Sequence, residues 1–397
     1  MATQVLKKNR RRPFFRVILL ILLLTPLLML IAWYLTPKRK LVIAIVDKTV
    51  LTTSGQEHIS LNWVLNQERF TKNDDQLYDR TGDYYGFFPL GDEKFAVKGL
   101  ERFNAAQLER LSEDADAAYL TDTYGIYRNE WYKSGDSKER SGIIYGGMSA
   151  QDLALLKLMR EKHKLIISEF NCLGSPTLPI LKTQFENTFG VKWTGWIGRY
   201  FDSFDTTINK ELPHWLVKNY REQHGGQWAF HKSGIALVHT DDRIVVLENK
   251  THLNKELPHM FATEEGMAHY GMTEKMKYSF WFDIVSPDYK VNSVLSSYFI
   301  DANAAGIAEL KRNGIPASFP AIIAHVGEDY RFFYFAGDFC DNPVELGSSR
   351  FKKIHWLKWF MYNTSDPLER KSFFWELYRP LVTTILEDYY GTLRPAK

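Results

Sequence analysis

Residues 41–46, LVIAIV, are apolar at every position and end at Asp47. In an extended chain successive side chains point to opposite faces, so a strand apolar at both parities is covered on both, as inner strands of helix-covered parallel sheets are. Similar runs recur in AAYLTD (117–122), GIIYGG (142–147) and LIISEF (165–170). Helical periodicity fills the gaps, over 57–70, after Ser149, and from Pro176-Thr177 to the Phe-Gly at 189–190. Ser149 and Asp152 have the spacing of a capping box. The alternation predicts an α/β fold, a mostly parallel sheet with helices on both faces. From about residue 228 hairpins take over: GIALVHTDDRIVVLE turns at Asp241-Asp242, KYSFWFDIV (277–285) reads as a strand, and 319–339 turns at Gly327-Glu328-Asp329. Helices follow over 348–362 and beyond, with an interruption at Pro380. The expected organisation is a core over 41–225, a β-rich part over 226–345 completing the same domain, and C-terminal helices over 346–397.

Residues 17–35 carry no charge and, as a helix, match one bilayer core in length. Lys7, Lys8, Arg10, Arg11, Arg12 and Arg16 precede the run; only Lys38, Arg39 and Lys40 follow it. The asymmetry predicts a basic cytoplasmic arm (1–16), an uncleaved transmembrane anchor (17–36) and an extracytoplasmic body. A cleaved signal peptide is the rival, without an A-x-A-like site to support it. The chain has 50 lysines and arginines, nine of them in the first 40 residues, against 47 acids, all beyond. The body is therefore mildly acidic, which argues against nucleic acid as a partner. Expected partners are the membrane, through the N-terminal helix, an envelope glycan or small polar ligand, and other membrane proteins. Two cysteines, Cys172 and Cys340, make no disulfide framework; one bridge or two free thiols both fit.

Ligands of open parallel sheets bind beyond the carboxyl ends of the strands. There the sequence places Asp47, then Asp122 and Tyr124, Gly146 and Gly147, Glu169, Asn171 and Cys172, and finally Asp338 and Asp341. Glu169, Asp338 and Asp122 are the candidate catalytic acids, since crowded carboxylates raise one another's pKa toward that of a working general acid. The others are candidate ligand contacts. KWTGWIGRYF (192–201) adds Trp196 and Arg199 as a possible pocket wall. The plainer alternative is that the acids cap helices and pair with Lys48 or Arg199, and that the aromatics and His325 are core. The 11 histidines show no metal-ligand spacing, and neither G-x-S-x-G nor a P-loop occurs, so no metal or cofactor is expected.

The run 142–190 resembles the central part of the class I glutamine amidotransferase fold, which is flavodoxin-like. IIYGGMS resembles its oxyanion-hole loop. FNCLG (170–174) falls at its nucleophile elbow, with Cys172 at the nucleophile and Gly174 at the second glycine. Phe170 stands in place of the first glycine, and no histidine is followed two residues later by glutamate; His239 and Asp241 come nearest. The resemblance implies the fold without a complete Cys-His-Glu triad. Three functions follow as expectations: an envelope protein that binds or processes a carbohydrate or similar polar ligand, a catalytically inactive amidotransferase-like scaffold, or a thiol enzyme using Cys172.

Overall fold

The computed structural model describes residues 11–53, 56–133, 135 and 139–394, with side chains from residue 23 onward except at residue 56. The basic arm up to residue 10 lies outside the described residues. The elements that position the site are helix α1 (Arg11–Leu35), β1 (Ile43–Asp47), α2 (Ile59–Gln67), β2 (Tyr85–Gly91), β3 (Lys94–Val97), α3 (Ala105–Asp114), β4 (Ala117–Asp122), α4 (Ala150–Glu161), β5 (Leu165–Glu169) and α5 (Pro179–Phe189). There follow β6 (Val191–Phe201), α6 (His214–Gln223), β7 (Gly234–His239), β8 (Ile244–Glu248), β9 (His259–Ala262), β10 (Lys275–Lys277), β11 (Phe282–Pro287) and β12 (Ser293–Phe299). α7 (Ala304–Arg312), β13 (Ser318–Val326), β14 (Arg331–Phe335) and α8 (Arg379–Leu393) complete the set.

Ten strands form one sheet in the order β10-β9-β12-β13-β14-β5-β4-β1-β2-β3. Only the stretch from β14 to β2 is parallel. The pairings on either side are antiparallel. The fold is therefore α/β with a mixed sheet, which corrects the mostly parallel expectation. The hairpin β13–β14 enters the sheet beside β5, so strands from both halves of the chain share one core. β1, β4 and β5 are buried at every residue. α4 and α5 cover one face, with Phe185 packed on Phe332 and Tyr334. α2 and α8 cover the other, where Tyr389 donates to the Asp116 carbonyl at 2.8 Å and Trp63 packs edge-on against Phe374.

Other expectations shift. Ile143–Tyr145 pairs with Ile126–Tyr127 in a separate two-stranded ribbon rather than joining the sheet. Beside β1 the sheet continues with β2, where Gly86 is obligatory: a Cβ there would meet the Asp47 carbonyl oxygen at 1.6 Å. The hairpin β7–β8 belongs to a second sheet of order β8-β7-β6-β11. In place of a helix over 348–362 there are two 3-10 stretches, Leu346–Arg350 and Ile354–Phe360. The C-terminal helix runs from Lys371–Phe373 through a π-helical turn at Phe374–Tyr378 into α8, and Pro380 lies just past that turn, so the expected interruption is a π turn within a continuous helix.

The transmembrane anchor requires correction. Among the described residues no helix is long and apolar enough to cross a membrane. α1 forms over the expected span, but its described end is docked on the body. Trp33 is buried and its Nε1 donates to the Asn66 carbonyl at 2.9 Å. Arg69 lies over the Trp33 ring and donates to the carbonyls of Trp33 and Tyr34 at the end of the helix. The Lys352 amide donates to the Met29 carbonyl at 3.2 Å. The localisation as a single-pass membrane protein rested on that anchor and is overturned with it.

Candidate functional site

β1 and β4 are adjacent and parallel, so Asp47 and Asp122 lie side by side at the strand ends. Beyond β14 the chain turns through Asp338 and Asp341. The segment between β1 and α2 brings in Glu57 and His58. One carboxylate oxygen from each of Glu57, Asp338 and Asp341 lies within 4.8 Å of the other two. Five acids thus converge at one sheet edge, and Glu57 feels the charge of all four others.

Their surroundings differ sharply. Asp47 is fully buried against His58 Nδ1, while His58 Nε2 faces the Arg80 carbonyl at 2.7 Å. A carbonyl only accepts, so Nε2 carries a proton and is tied down. Asp122 accepts from the Tyr124 amide at 2.6 Å, Thr49 Oγ1 at 2.8 Å and Asn171 Nδ2 at 3.3 Å. Burial nevertheless pushes Asp122 up to about 7. Asp341 accepts from Arg370 Nη1 at 3.2 Å. Glu57 and Asp338 accept no hydrogen bond from any described residue. Burial, then the charge of Asp341, holds both well above the usual carboxylate range.

Asp338 lines a narrow cleft with Tyr278, Phe280, Asn342, Glu369 and Arg370. The cleft has room at its floor for about one water-sized group. Arg370 lies 3.6 Å above the Phe280 ring. Arg199 is near the same ring and that of Trp281, and its own partner is Glu211. A guanidinium-and-aromatic wall therefore stands beside the acids.

The remaining candidates have other places. Glu169 is fully buried beneath the cluster. One oxygen accepts from Tyr119; the other accepts from the Phe339 and Cys340 amides, both at 2.9 Å, and burial pushes the carboxyl up to about 8. It fastens the loop that carries Asp338 and Asp341. Gly147 donates its amide to the Thr123 carbonyl at 2.7 Å. At Gly146, with φ of 155°, a Cβ would strike the Tyr124 carbonyl oxygen at 2.5 Å. The two glycines let this loop close on the end of β4. The Tyr124 ring packs on Tyr127. Trp196 sits three residues from Arg199 and so on the other face of β6, buried against His239.

Lys48 belongs to none of the crevice acids. It is wholly buried on Asp152 (2.5 Å), Glu101 and the Gly147 carbonyl (2.9 Å), and Asp152 also completes the capping box of α4. The left-handed residue after β5 is Asn171, with φ of 68°, not Cys172. Cys172 points into the core and both cysteines are free. Burial, then the charge of Asp122, pushes the Cys172 thiol well up, away from the thiolate. Iodoacetamide is expected to leave Cys172 unlabelled in the folded protein and to label it in denaturant; fast labelling of the folded chain would restore the thiol-enzyme reading.

Glu57 and Arg370 escaped the sequence reading. Glu57 lies ten residues past a strand end, and a wider window there would have reached it. Arg370 carried no signal, since its partner is 29 residues away in a loop.

No family model and no curated protein sequence matches the chain. Among solved structures it is similar to a β-galactosidase from Bacillus circulans sp. alkalophilus, at 8% identity and a TM-score of 0.34, covering 77% of this chain and 30% of that one. The chain thus spans under a third of that enzyme's length. It is also similar to a putative ThuA-like protein from Bacteroides uniformis (8%, TM-score 0.33, 80% of this chain and 89% of that one). A cytoplasmic protein from Salmonella typhimurium gives 12% and 0.35, covering 88% and 99%. At these TM-scores the likenesses assign neither family nor activity.

Proposed function

We propose that the chain binds or processes a carbohydrate or similar hydroxyl-rich ligand in the crevice at the ends of β1 and β4. The observation that carries this is the convergence of Asp47, Glu57, Asp122, Asp338 and Asp341 beside the Arg370–Phe280–Trp281 wall. Sugars offer hydroxyls to carboxylates and C–H faces to rings. Asp338 is the acid that touches the ligand, since it faces the cleft and no protein donor occupies it. Asp122 and Glu169 position rather than react, because protein donors already hold their oxygens. The test is calorimetric titration with a panel of soluble oligosaccharides, in EDTA. One class should bind, Asp338→Asn should weaken it at least tenfold, and Trp196→Phe should leave it unchanged. Binding by none of the panel, or equal binding by D338N, refutes the proposal.

A second reading, an amidotransferase-like scaffold that runs no chemistry, is favoured by the buried Cys172, to which no described histidine hydrogen-bonds. The exposed rings of Trp356, Trp359 and Phe360 support a partner-binding role, because large apolar groups clustered at a surface mark interaction sites.

A further inference from the structure

Within the crevice, Glu57, Asp338 and Asp341 differ from the other acids in what neutralises them. Asp47 has His58, and Asp122 has three donors. Among the described residues the trio's ion-pair partner is Arg370, 3.2 Å from Asp341, and its charge also acts on Asp338. Three carboxylates thus share one guanidinium, and an uncompensated charge out of water is among the most costly features a fold can hold. Two further observations point to a missing partner at this place. Asp338 is only 9% exposed yet accepts no hydrogen bond. Asn342, 1% exposed and lining the same cleft, has its Oδ1 without a partner, while its Nδ2 is engaged by Ser60 and the Phe339 carbonyl. Buried polar atoms are otherwise almost always satisfied.

From this geometry we infer that Glu57, Asp338 and Asp341 hold a hard divalent cation, Ca²⁺ or Mg²⁺. The spacing is compatible: no two of the three oxygens are farther apart than 4.8 Å, the span of two Ca²⁺–oxygen bonds of about 2.4 Å. The donor set fits too, since carboxylate and amide oxygens without sulfur or imidazole select Ca²⁺, Mg²⁺ or Mn²⁺ over zinc. The cleft's room for about one water-sized group admits a single ion held mainly by protein oxygens. Glu169 holds the Phe339 and Cys340 amides, so two of the three ligands sit on a loop already fixed in place.

The site shares the crevice proposed for the saccharide but does not depend on it. The test therefore uses cation alone, and the saccharide titration is run in EDTA, so either can fail without the other. The EDTA-treated full chain is titrated with CaCl2 and MgCl2, with NaCl matching ionic strength, by calorimetry and thermal melting. Saturable binding of at least one cation and a raised melting temperature are expected. Asp338→Asn and Glu57→Gln should each weaken binding at least tenfold. Both variants should melt no lower than wild type without cation, since each removes like-charge repulsion, and this shows that they fold. No saturable binding of either cation, or wild-type affinity in both variants, overturns the inference.

Discussion

Lys48→Met is expected to destabilise the protein by about 3–5 kcal/mol, the cost of leaving a buried charge without its partner. Lys48 and Asp152 are both wholly buried, and no water can take over when the ammonium is removed. The loss is compounded at two places. The Gly147 carbonyl loses its donor, and Lys48 no longer links the 145–147 loop to the first turn of α4. Asp152→Asn keeps an acceptor for the Ser149 amide but removes the charge. The double variant Lys48→Met/Asp152→Asn should therefore recover most of the loss. Urea midpoints measure both. A single variant within about 1 kcal/mol of wild type would mean that the pair contributes nothing net, as exposed pairs often do.

Stability in EDTA is expected to fall as the pH rises from about 6.5 to about 8. Burial pushes Asp122 and Asp283 up to about 7 and Glu169 up to about 8. Unfolded, each titrates near about 4. Between those values the folded chain holds more protons than the unfolded chain, so its stability declines with pH. The contribution is complete below the unfolded value and lost on passing through the folded one. Burial lowers His252, His259 and His355, which act in the opposite sense, but their effect ends near the ordinary histidine value of about 6.5. Asp122→Asn and Glu169→Gln, neutral at every pH, should flatten the slope. Urea midpoints that climb between pH 6.5 and 8 would contradict this account.

Much of the central sheet was legible because burial on both faces leaves an unambiguous signature. β1, β4 and β5 are apolar at both parities and stand where the runs predicted them. β2 was missed because Gly86, Pro89 and Gly91 read as breakers, and it pairs with β1 only at its first residues. Ile143–Tyr145 has strand residues but too few to reach the sheet. Parallel pairing was overextended because hairpin strands carry the same apolar residues as inner strands, and only topology distinguishes them. At the site, the strand-end rule found Asp47 and Asp122 and, in the loop after β14, Asp338 and Asp341. It could not separate Glu169, saturated by two amides, from Asp338, which has none. That difference is made by which backbone lies above the carboxylate, and it depends on contacts 170 residues away.

The contact between Asn342 and Ser60 joins residues 282 apart, and Glu57 meets Asp338 across a similar distance. The crevice is thus assembled across long loop closures, whose entropy must be met before any contact rewards it. During synthesis β1, β4 and β5 emerge early and wait with an open edge until β14 arrives.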